Sequence, residues 1–320
     1  MKKLALMLAT LMTLVALCAC NAEKSGKDGI KIVTTIFPEY DWVRNITGSD
    51  ENITLLLDNG VDLHSYQPTA ADMLEISNCD LFVYVGGESD GWVDDALKSA
   101  SNKNMKVVNL MDVLGDDAYE EELKEGMQGE EEEEEEEGEE EAEYDEHVWL
   151  SLKNAKVFVR KIADELKALD PKKADTYEKN ASDYISKLDD LDSRYEEAAS
   201  GASMKTLLFG DRFPFRYMTE DYGLDYFAAF IGCSAETEAS FETIAFLSAK
   251  ADELGLKYIF TIDNSDQKIA KTIIDNTQTK DAQILVLNSM QSTDKAAIDN
   301  GADYLTIMEK NLNVLSTALG

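Results

Sequence analysis

The two histidines of this 320-residue sequence are its clearest candidates for chemistry. His64 lies in a polar stretch, residues 59–69, and His147 lies in residues 145–150, directly after a run of acidic residues. An imidazole can bind a divalent transition metal or transfer a proton, and either use requires other side chains to converge on it. A histidine in a loop is more often an ordinary surface residue, so position alone leaves that alternative open for each.

Composition restricts the function further. The sequence has 64 acidic and 30 basic residues, which gives a formal net charge of −34. Nucleic acid is a poor partner because phosphate binding requires clustered lysine and arginine, whereas a cationic ligand suits the charge. A zinc-dependent hydrolase would need an open coordination position and a nearby general base, and no His-Glu-x-x-His pattern occurs. We therefore predict a binding protein rather than an enzyme.

Apolar stretches rich in β-branched residues alternate with stretches in which apolar residues have helical spacing. The strands and helices that these stretches predict must position the two histidine loops. We predict strands at residues 30–36, 53–57, 81–85, 106–110, 205–209, 226–231, 258–262 and 283–287. We predict helices at residues 40–46, 69–77, 92–100, 241–254, 267–276 and 302–319. The fold class is therefore α/β, with two lobes, each a mainly parallel four-stranded sheet flanked by helices. Ligands of such sheets bind beyond the carboxyl ends of the strands.

A long helical region joins the two halves. Residues 153–169 have helical spacing, and Asp170-Pro171 supplies an N-cap and a first-turn proline for a second helix. The apolar face of that second helix comprises Tyr177, Ala181, Tyr184, Leu188, Leu191, Tyr195 and Ala198. Such a helix reaches roughly 40 Å, long enough to lie across both lobes. A coiled-coil dimer seam is the weaker alternative, because the stripe is short and contains alanines and tyrosines, and we expect a monomer.

The amino-terminal residues predict export. Residues 1–19 are two lysines followed by a short apolar run, which is typical of a signal peptide and too short for a comfortable membrane span. The run ends in Leu17-Cys18-Ala19-Cys20, which resembles a bacterial lipobox and makes Cys20 the predicted lipid attachment; a plain signal peptide is the alternative. Residues 20–29 are polar and read as a flexible tether.

We expect the first lobe at residues 30–170, the linking helix at 171–200 and the second lobe at 201–320. An acidic loop, residues 120–146, interrupts the first lobe. Its acidic run from 130 to 146 predicts either a solvated insertion or a weak collector of cations. Cys79 and Cys233 each adjoin a predicted strand and lack the spacing of a metal cluster, so we predict small buried thiols.

Two motifs resemble those of the zinc and manganese solute-binding lipoproteins of ABC importers (the zinc-uptake family, cluster A-I type). Residues 62–68, Asp-Leu-His-Ser-Tyr-Gln-Pro, are similar to the family's Asp-x-His-x-x-x-Pro signature. Residues 145–150, Asp-Glu-His-Val-Trp-Leu, are similar to its Asp-Pro-His-x-Trp-Leu motif. The resemblance implies two α/β lobes joined by a long rigid helix, a metal in the cleft between them, and His64 and His147 as first-lobe ligands.

The resemblance is weaker in the second lobe. Where the family has a ligating His or Glu, this sequence has Arg212, which cannot bind a metal because it is always protonated. Asp211 is the nearest substitute, although it could instead pair with Arg212 or cap a helix. The family's fourth ligand is an acid after the third strand of this lobe. Asp263 is the preferred candidate, and Asp266 is better placed to cap the helix near residue 267.

This ligand set implies Zn²⁺ as the bound metal, with Mn²⁺ as the alternative. Two imidazoles and two carboxylates suit tetrahedral zinc, and affinity for zinc exceeds that for manganese at most such sites. The resemblance further implies delivery to an ABC permease. The protein would lie on the extracytoplasmic face of the cell membrane, anchored through Cys20.

Overall fold

The computed structural model of the protein describes residues 29–129, 143–234 and 238–320. The predicted signal peptide, the predicted lipid attachment at Cys20, nearly all of the tether and most of the acidic run lie outside these ranges. Within them, no helix has both the length and the apolar character that crossing a membrane requires.

The first lobe contains a parallel sheet of strand order β2-β1-β3-β4. Its strands are β1 (Ile32–Thr34), β2 (Ile53–Leu55), β3 (Leu81–Tyr84) and β4 (Lys106–Asn109). Its helices are α1 (Phe37–Thr47), α2 (Ala70–Asn78), α3 (Val93–Ser99) and α4 (Leu110–Leu114). Every residue of β1 and β3 is buried, as expected for central parallel strands covered on both faces. Because all four strands are parallel, the loops that follow them leave the sheet along one edge.

Two helices follow the first lobe, α5 (Leu152–Leu169) and α6 (Ala174–Ser200). The Ser151 side chain caps α5 by accepting from the Asn154 backbone N–H. The predicted stripe on α6 is buried except for Ala198, which is half-buried beside buried Ala199. Helix α6 lies across both lobes, because the Tyr184 hydroxyl donates to Asp41 of α1 at 3.1 Å and the Tyr195 hydroxyl donates to the Met308 carbonyl of the second lobe at 2.6 Å.

The second lobe repeats the architecture, with strand order β6-β5-β7-β8 and all strands parallel. Its strands are β5 (Thr206–Phe213), β6 (Asp225–Ile231), β7 (Tyr258–Ile262) and β8 (Gln283–Leu287). Its helices are α7 (Arg216–Tyr222), α8 (Phe241–Leu254), α9 (Lys268–Asn276), α10 (Lys295–Asp299) and α11 (Tyr304–Leu319). Short α7 and α10 were not predicted, because so few residues show little periodicity. All eight predicted strands are present.

Strand β5 is longer than predicted. The predicted strand ends at residue 209 and leaves Asp211 beyond it, yet β5 continues to Phe213 through further pairing with β6. The register of this pairing shifts between Phe209 and Arg212, which is a local irregularity of the bulge type. Gly210 is required there, because a Cβ would lie 2.5 Å from the Ala270 Cα of α9. The prediction that Asp211 lies beyond the strand is therefore wrong, since Asp211 is part of it.

Candidate metal centre

Loops from both lobes converge at the carboxyl ends of the strands. His64 lies in the loop after β2, where the Asp62 carboxylate accepts from the His64 backbone N–H at 3.1 Å. His147 precedes α5 in the same lobe. From the second lobe, Cys233 follows β6 and Gln291 follows β8. This edge is where parallel α/β sheets bind their ligands.

The imidazole rings of His64 and His147 face each other. Their Nε2 atoms are 3.1 Å apart. The His147 residue is fully buried, and the His64 side chain is 9% exposed. Two nitrogens bound to one tetrahedral zinc at 2.0–2.1 Å would lie about 3.3 Å apart. The pair therefore has the spacing of two ligands of one metal ion.

The ring of His147 is oriented by Asp145. Its Nδ1–H donates to Asp145 Oδ1 at 2.9 Å, and the same oxygen accepts from the His147 backbone N–H at 2.8 Å. The Asp145 carbonyl accepts from the Tyr217 hydroxyl at 2.9 Å, which ties this turn to the second lobe. Because a carboxylate oxygen can only accept, Nδ1 carries the proton and Nε2 keeps its lone pair.

The ring of His64 is held by Ser89 and Glu146. Its Nδ1 lies 2.8 Å from Ser89 Oγ, and the Ser89 backbone N–H donates to Glu146 Oε1 at 2.9 Å. Burial, together with the neighbouring His147, lowers the pKa of His64 to about 3. His64 is therefore uncharged at neutral pH.

The side chain of Gln291 lies between the two rings. Its Nε2 is 2.9 Å from the Nε2 of His64 and 2.9 Å from the Nε2 of His147. An amide NH₂ group has two N–H donors, so both imidazole nitrogens act as acceptors. Gln291 is 2% exposed, and its buried Oε1 has no hydrogen-bond partner among the described residues. The amide thus occupies the space toward which both lone pairs point.

Cys233 stands beside the two histidines. Its Sγ and one ring nitrogen of each imidazole all lie within 4.8 Å of one another, so these three residues form a compact cluster that could hold a metal ion within the described ranges. The backbone at Gly232 passes close to the His147 ring, because a Cβ there would lie 2.8 Å from Cε1 of His147. Only glycine at 232 lets the backbone place Cys233 next to the ring.

The environment of the Cys233 thiol is acidic and confined. Burial raises the pKa of this thiol well above its ordinary value, and the nearby Glu121 carboxylate, which accepts its hydrogen bond, adds to the effect. Cys79 is buried, as predicted. The same prediction is wrong for Cys233, which is half-buried and contacts a functional cluster rather than the core.

The two carboxylates that the family resemblance implies lie elsewhere. Asp211 and Asp263 line a cavity of about 490 Å³ together with Asp62 and Arg212, and neither belongs to the cluster of His64 and its neighbours. Asp211 accepts from two backbone N–H groups, its Oδ1 from that of Arg212 at 2.9 Å and its Oδ2 from that of residue 262 at 3.4 Å. Metal ligation by these two carboxylates stays a prediction.

Arg212 connects the lobes. Its Nη2 donates to Asp62 Oδ2 at 2.8 Å, and its Nη1 donates to the Ser234 carbonyl at 3.3 Å. Asp62 belongs to the His64 loop of the first lobe. Where the resembling family has a metal ligand, this chain therefore has an ion pair that spans the cleft.

Asp263 holds the loop that carries Gln291. Its Oδ1 accepts from the backbone N–H of Ser289 at 2.6 Å and from the Ser289 hydroxyl at 2.9 Å. The Ser289 carbonyl accepts from Nε1 of Trp149 at 2.8 Å. The loop after β8 is thus held by Asp263, which follows β7 in its own lobe, and by Trp149, which belongs to the His147 motif of the other lobe.

Asp266 lies next to the start of α9, but the prediction that it caps this helix is wrong, because the N-cap residue is Gln267. Asp266 Oδ1 instead accepts from the backbone N–H of Lys268, the first residue of the helix, at 2.9 Å. Its side chain is largely exposed and lies outside the cluster around His64.

A second cavity, of about 250 Å³, leads from the cluster. It is lined by His64, Ser89, Tyr144 and Cys233 and by the glutamates Glu88, Glu121, Glu143 and Glu146. Carboxyl groups that line one small opening raise the local concentration of divalent cations. Because His64 and Cys233 border it, this acidic cavity adjoins the imidazole pair.

Sequence reasoning found both histidines and missed Cys233 and Gln291. The position of Cys233, two residues after β6, was a usable signal, but its apolar surroundings and unpaired spacing favoured a core thiol. Gln291 is uncharged and lies four residues beyond β8, so nothing in its local sequence distinguishes it.

Comparisons with known proteins agree on one family. The family model described as zinc-uptake complex component A, periplasmic (ZnuA), matches residues 32–318. The zinc-binding lipoprotein AdcA of Streptococcus pneumoniae (strain ATCC BAA-255 / R6) is 35% identical over 318 residues, which cover 98% of this chain and 60% of that protein. The high-affinity zinc uptake system protein ZnuA of Bacillus subtilis (strain 168) is 33% identical over 317 residues, which cover 98% and 96%. The chain thus spans about 60% of the length of AdcA.

Solved structures share the fold. The Zn(II)-bound ZnuA-like domain of Streptococcus pneumoniae AdcA has a TM-score of 0.70 at 31% identity, with 91% of this chain and 99% of that chain covered. The metal-dependent lipoprotein YcdH of Bacillus subtilis has a TM-score of 0.73 at 30% identity, with 91% and 99% covered. The predicted α/β fold of two parallel four-stranded sheets and a long helix is confirmed.

Proposed function

This chain belongs to the family of zinc-uptake complex component A proteins, and from that premise we propose that it binds zinc with high affinity and delivers it to an ABC import permease. The observation that carries the proposal is the pair of Nε2 atoms of His64 and His147, 3.1 Å apart at the edge where both sheets end. Relatives named for zinc binding and zinc uptake support zinc, rather than manganese, as the cargo. They lend no support to the alternative of a zinc-dependent hydrolase.

The chain prepares the imidazole pair before metal arrives. Asp145 fixes the ring of His147, and Ser89 contacts the Nδ1 of His64, so neither ring has to turn to present Nε2. Burial keeps His64 uncharged, which removes a proton that would otherwise compete with the metal. Capture then consists of cation entry along the acidic cavity and bonding to two preset nitrogens.

The amino-terminal sequence and one of the relatives bear on where the protein lies in the cell. We propose an extracytoplasmic position with a lipid anchor at Cys20, through which the chain stays near the permease. The lipobox-like Leu17-Cys18-Ala19-Cys20 and the description of AdcA as a lipoprotein support this proposal. Zinc delivery to a membrane permease benefits from such tethering, because tethering raises the local concentration of the carrier.

Zinc titration of histidine variants tests the proposed function. His64→Ala and His147→Ala should each lower zinc affinity by well over about tenfold, since each removes one of about four ligands. The matched control is Asp266→Ala, which removes an exposed carboxylate outside the cluster and should leave affinity unchanged. The measurement is competitive Zn²⁺ and Mn²⁺ titration with elemental analysis of the purified full-length chain. Unchanged zinc affinity in both histidine variants would contradict the proposal.

A further inference from the structure

The imidazole pair accounts for two of the four donors that tetrahedral zinc requires. The remaining donors must come from side chains whose ligand atoms already lie near both imidazole rings. Among the described residues, Cys233 and Gln291 meet this condition, and both belong to the second lobe.

Cys233 meets it through its position in the cluster. Its Sγ lies within 4.8 Å of the ring nitrogens of His64 and His147, while a tetrahedral zinc places sulfur and nitrogen about 3.6 Å apart. A rotation about the Cα–Cβ bond of cysteine moves Sγ by more than this difference. The close packing of Gly232 on the His147 ring keeps the backbone near enough for that rotation to suffice.

Gln291 meets the condition independently of the sulfur. Its amide is buried, and Nε2 contacts both imidazole lone pairs at 2.9 Å, while Oε1 has no partner among the described residues. A half-turn of the amide group about its terminal bond exchanges these two atoms. The half-turn directs the unpartnered Oε1 to the point on which both lone pairs converge and withdraws the N–H donors from it.

We propose that the metal is bound by His64 and His147 together with the Cys233 thiolate and the amide oxygen of Gln291. This assignment rests on the proposed zinc function and names the ligands of that same site. On binding, one S–H bond breaks and one S–Zn bond forms, and the proton leaves as H⁺ to solvent. Glu121, which accepts the hydrogen bond of the thiol, lines the acidic cavity along which that proton departs.

The proposed ligand set changes the selectivity of the site. A thiolate is a soft donor that favours Zn²⁺, whereas two carboxylates would accept Mn²⁺ readily. The sulfur of Cys233 therefore makes this chain discriminate more strongly against manganese than the ligand set of Asp211 and Asp263 would.

Cobalt substitution of the full-length chain tests the sulfur ligand. A thiolate bonded to Co²⁺ gives charge-transfer absorption in the near ultraviolet, which nitrogen and oxygen ligands do not give. The band should be present in the unaltered chain, absent in Cys233→Ser and retained in Cys79→Ser. Cys79 is the matched control because it is buried ahead of β3, at the opposite end of that strand from the histidine loop. Absence of the band in a chain that binds Co²⁺ would overturn the sulfur assignment.

Zinc titration of the same variants separates this inference from the proposed function. Cys233→Ser and Gln291→Leu should each lose at least about tenfold in zinc affinity, and Cys233→Ser should lose much less for Mn²⁺. Tight zinc binding that both variants retain would overturn the ligand assignment and leave the proposed function intact. Failure of the unaltered chain to bind zinc would overturn the proposed function itself.

Thiol protection in the unaltered chain gives a readout that does not depend on the folding of any variant. Saturating zinc should slow alkylation of Cys233 by iodoacetamide at least about tenfold, as located by mass spectrometry, because coordination withdraws electron density from the sulfur and shields it from the reagent. Buried Cys79 should react slowly with and without zinc. An alkylation rate at Cys233 that zinc does not change would contradict ligation by sulfur.

Discussion

The two imidazoles at the centre of the candidate site are each fixed at one ring nitrogen, and their other ring nitrogens face a common point. Asp145 holds Nδ1 of His147, and Ser89 contacts Nδ1 of His64, so both Nε2 lone pairs point toward the Gln291 amide. Fixing the outer nitrogen orients a metal-binding histidine and strengthens it as a ligand. At this scale, side chains of one lobe supply half of the proposed metal site.

The pH dependence of zinc affinity should therefore reflect the thiol more than His64. The pKa of His64 is lowered to about 3, so its lone pair stays available as the pH falls from 8 to 5. Burial raises the pKa of Cys233, so metal binding must displace its proton throughout that range. Release of this one proton should by itself lower zinc affinity about tenfold for each unit by which the pH falls. The measurement is competitive zinc titration at several pH values between 8 and 5.

Cys233→Ser is the control for this profile. The variant lacks the ionising thiol, so its affinity should depend on pH less steeply than that of the unaltered chain. Equal slopes in the two proteins would show that the thiol proton is not released on binding.

At the scale of elements, the site depends on where strands end. The loops after β2, β6 and β8 supply His64, Cys233 and Gln291, because parallel strands release all their following loops at one edge. The loop after β7 supplies Asp263, which binds the Ser289 backbone and hydroxyl instead of joining the cluster. By binding Ser289, the Asp263 carboxylate positions the loop after β8, which carries Gln291.

Asp263→Asn distinguishes positioning from metal ligation. An asparagine keeps the oxygen that accepts from Ser289 but removes the charge, so a positioning role predicts a loss of zinc affinity of less than about tenfold. Asp263→Ala removes the acceptor and should weaken binding further. Zinc calorimetry on both variants provides the measurement. A loss in Asp263→Asn as large as that in His64→Ala would instead make Asp263 a ligand, as the family resemblance implies.

At the scale of the whole molecule, several contacts hold the two lobes together. Arg212 of the second lobe pairs with Asp62 of the first at 2.8 Å, and Trp149 of the first donates to the Ser289 carbonyl of the second. Helix α6 contacts both lobes along its buried stripe. Contacts that need no metal therefore bring the proposed ligands of opposite lobes within reach of one another.

The lipid anchor is the other property of the whole molecule that can be tested. Cys20→Ala should release the protein from membranes into the soluble fraction or the medium, because one acyl-bearing residue supplies its membrane affinity. Fractionation with labelling by a lipid precursor provides the measurement, and Cys79→Ala, which changes a buried core thiol, is the control. A Cys20→Ala protein that still labels and fractionates with membranes would refute the anchor.

The sequence by itself determined the architecture and half of the candidate site. Alternating apolar strands and amphipathic helices are local patterns, so they predicted eight strands, a parallel α/β fold in two lobes and the long helix. The two histidines were found because their motifs are also local. The end of β5 was placed too early because the pairing that extends it, with β6, is not visible in the residues of β5 alone.

Tertiary structure alone decided which second-lobe side chains meet the histidines. Gln291 lies 227 residues from His64 along the chain and 144 from His147, and no local pattern connects them. Strand order and the close packing of Gly232 on His147 bring Cys233 into the cluster, while hydrogen bonds to backbone amides retain Asp211 and Asp263 outside it. Residue types indicate which side chains could bind a metal, but convergence at a sheet edge depends on packing between distant segments, which only the folded chain specifies.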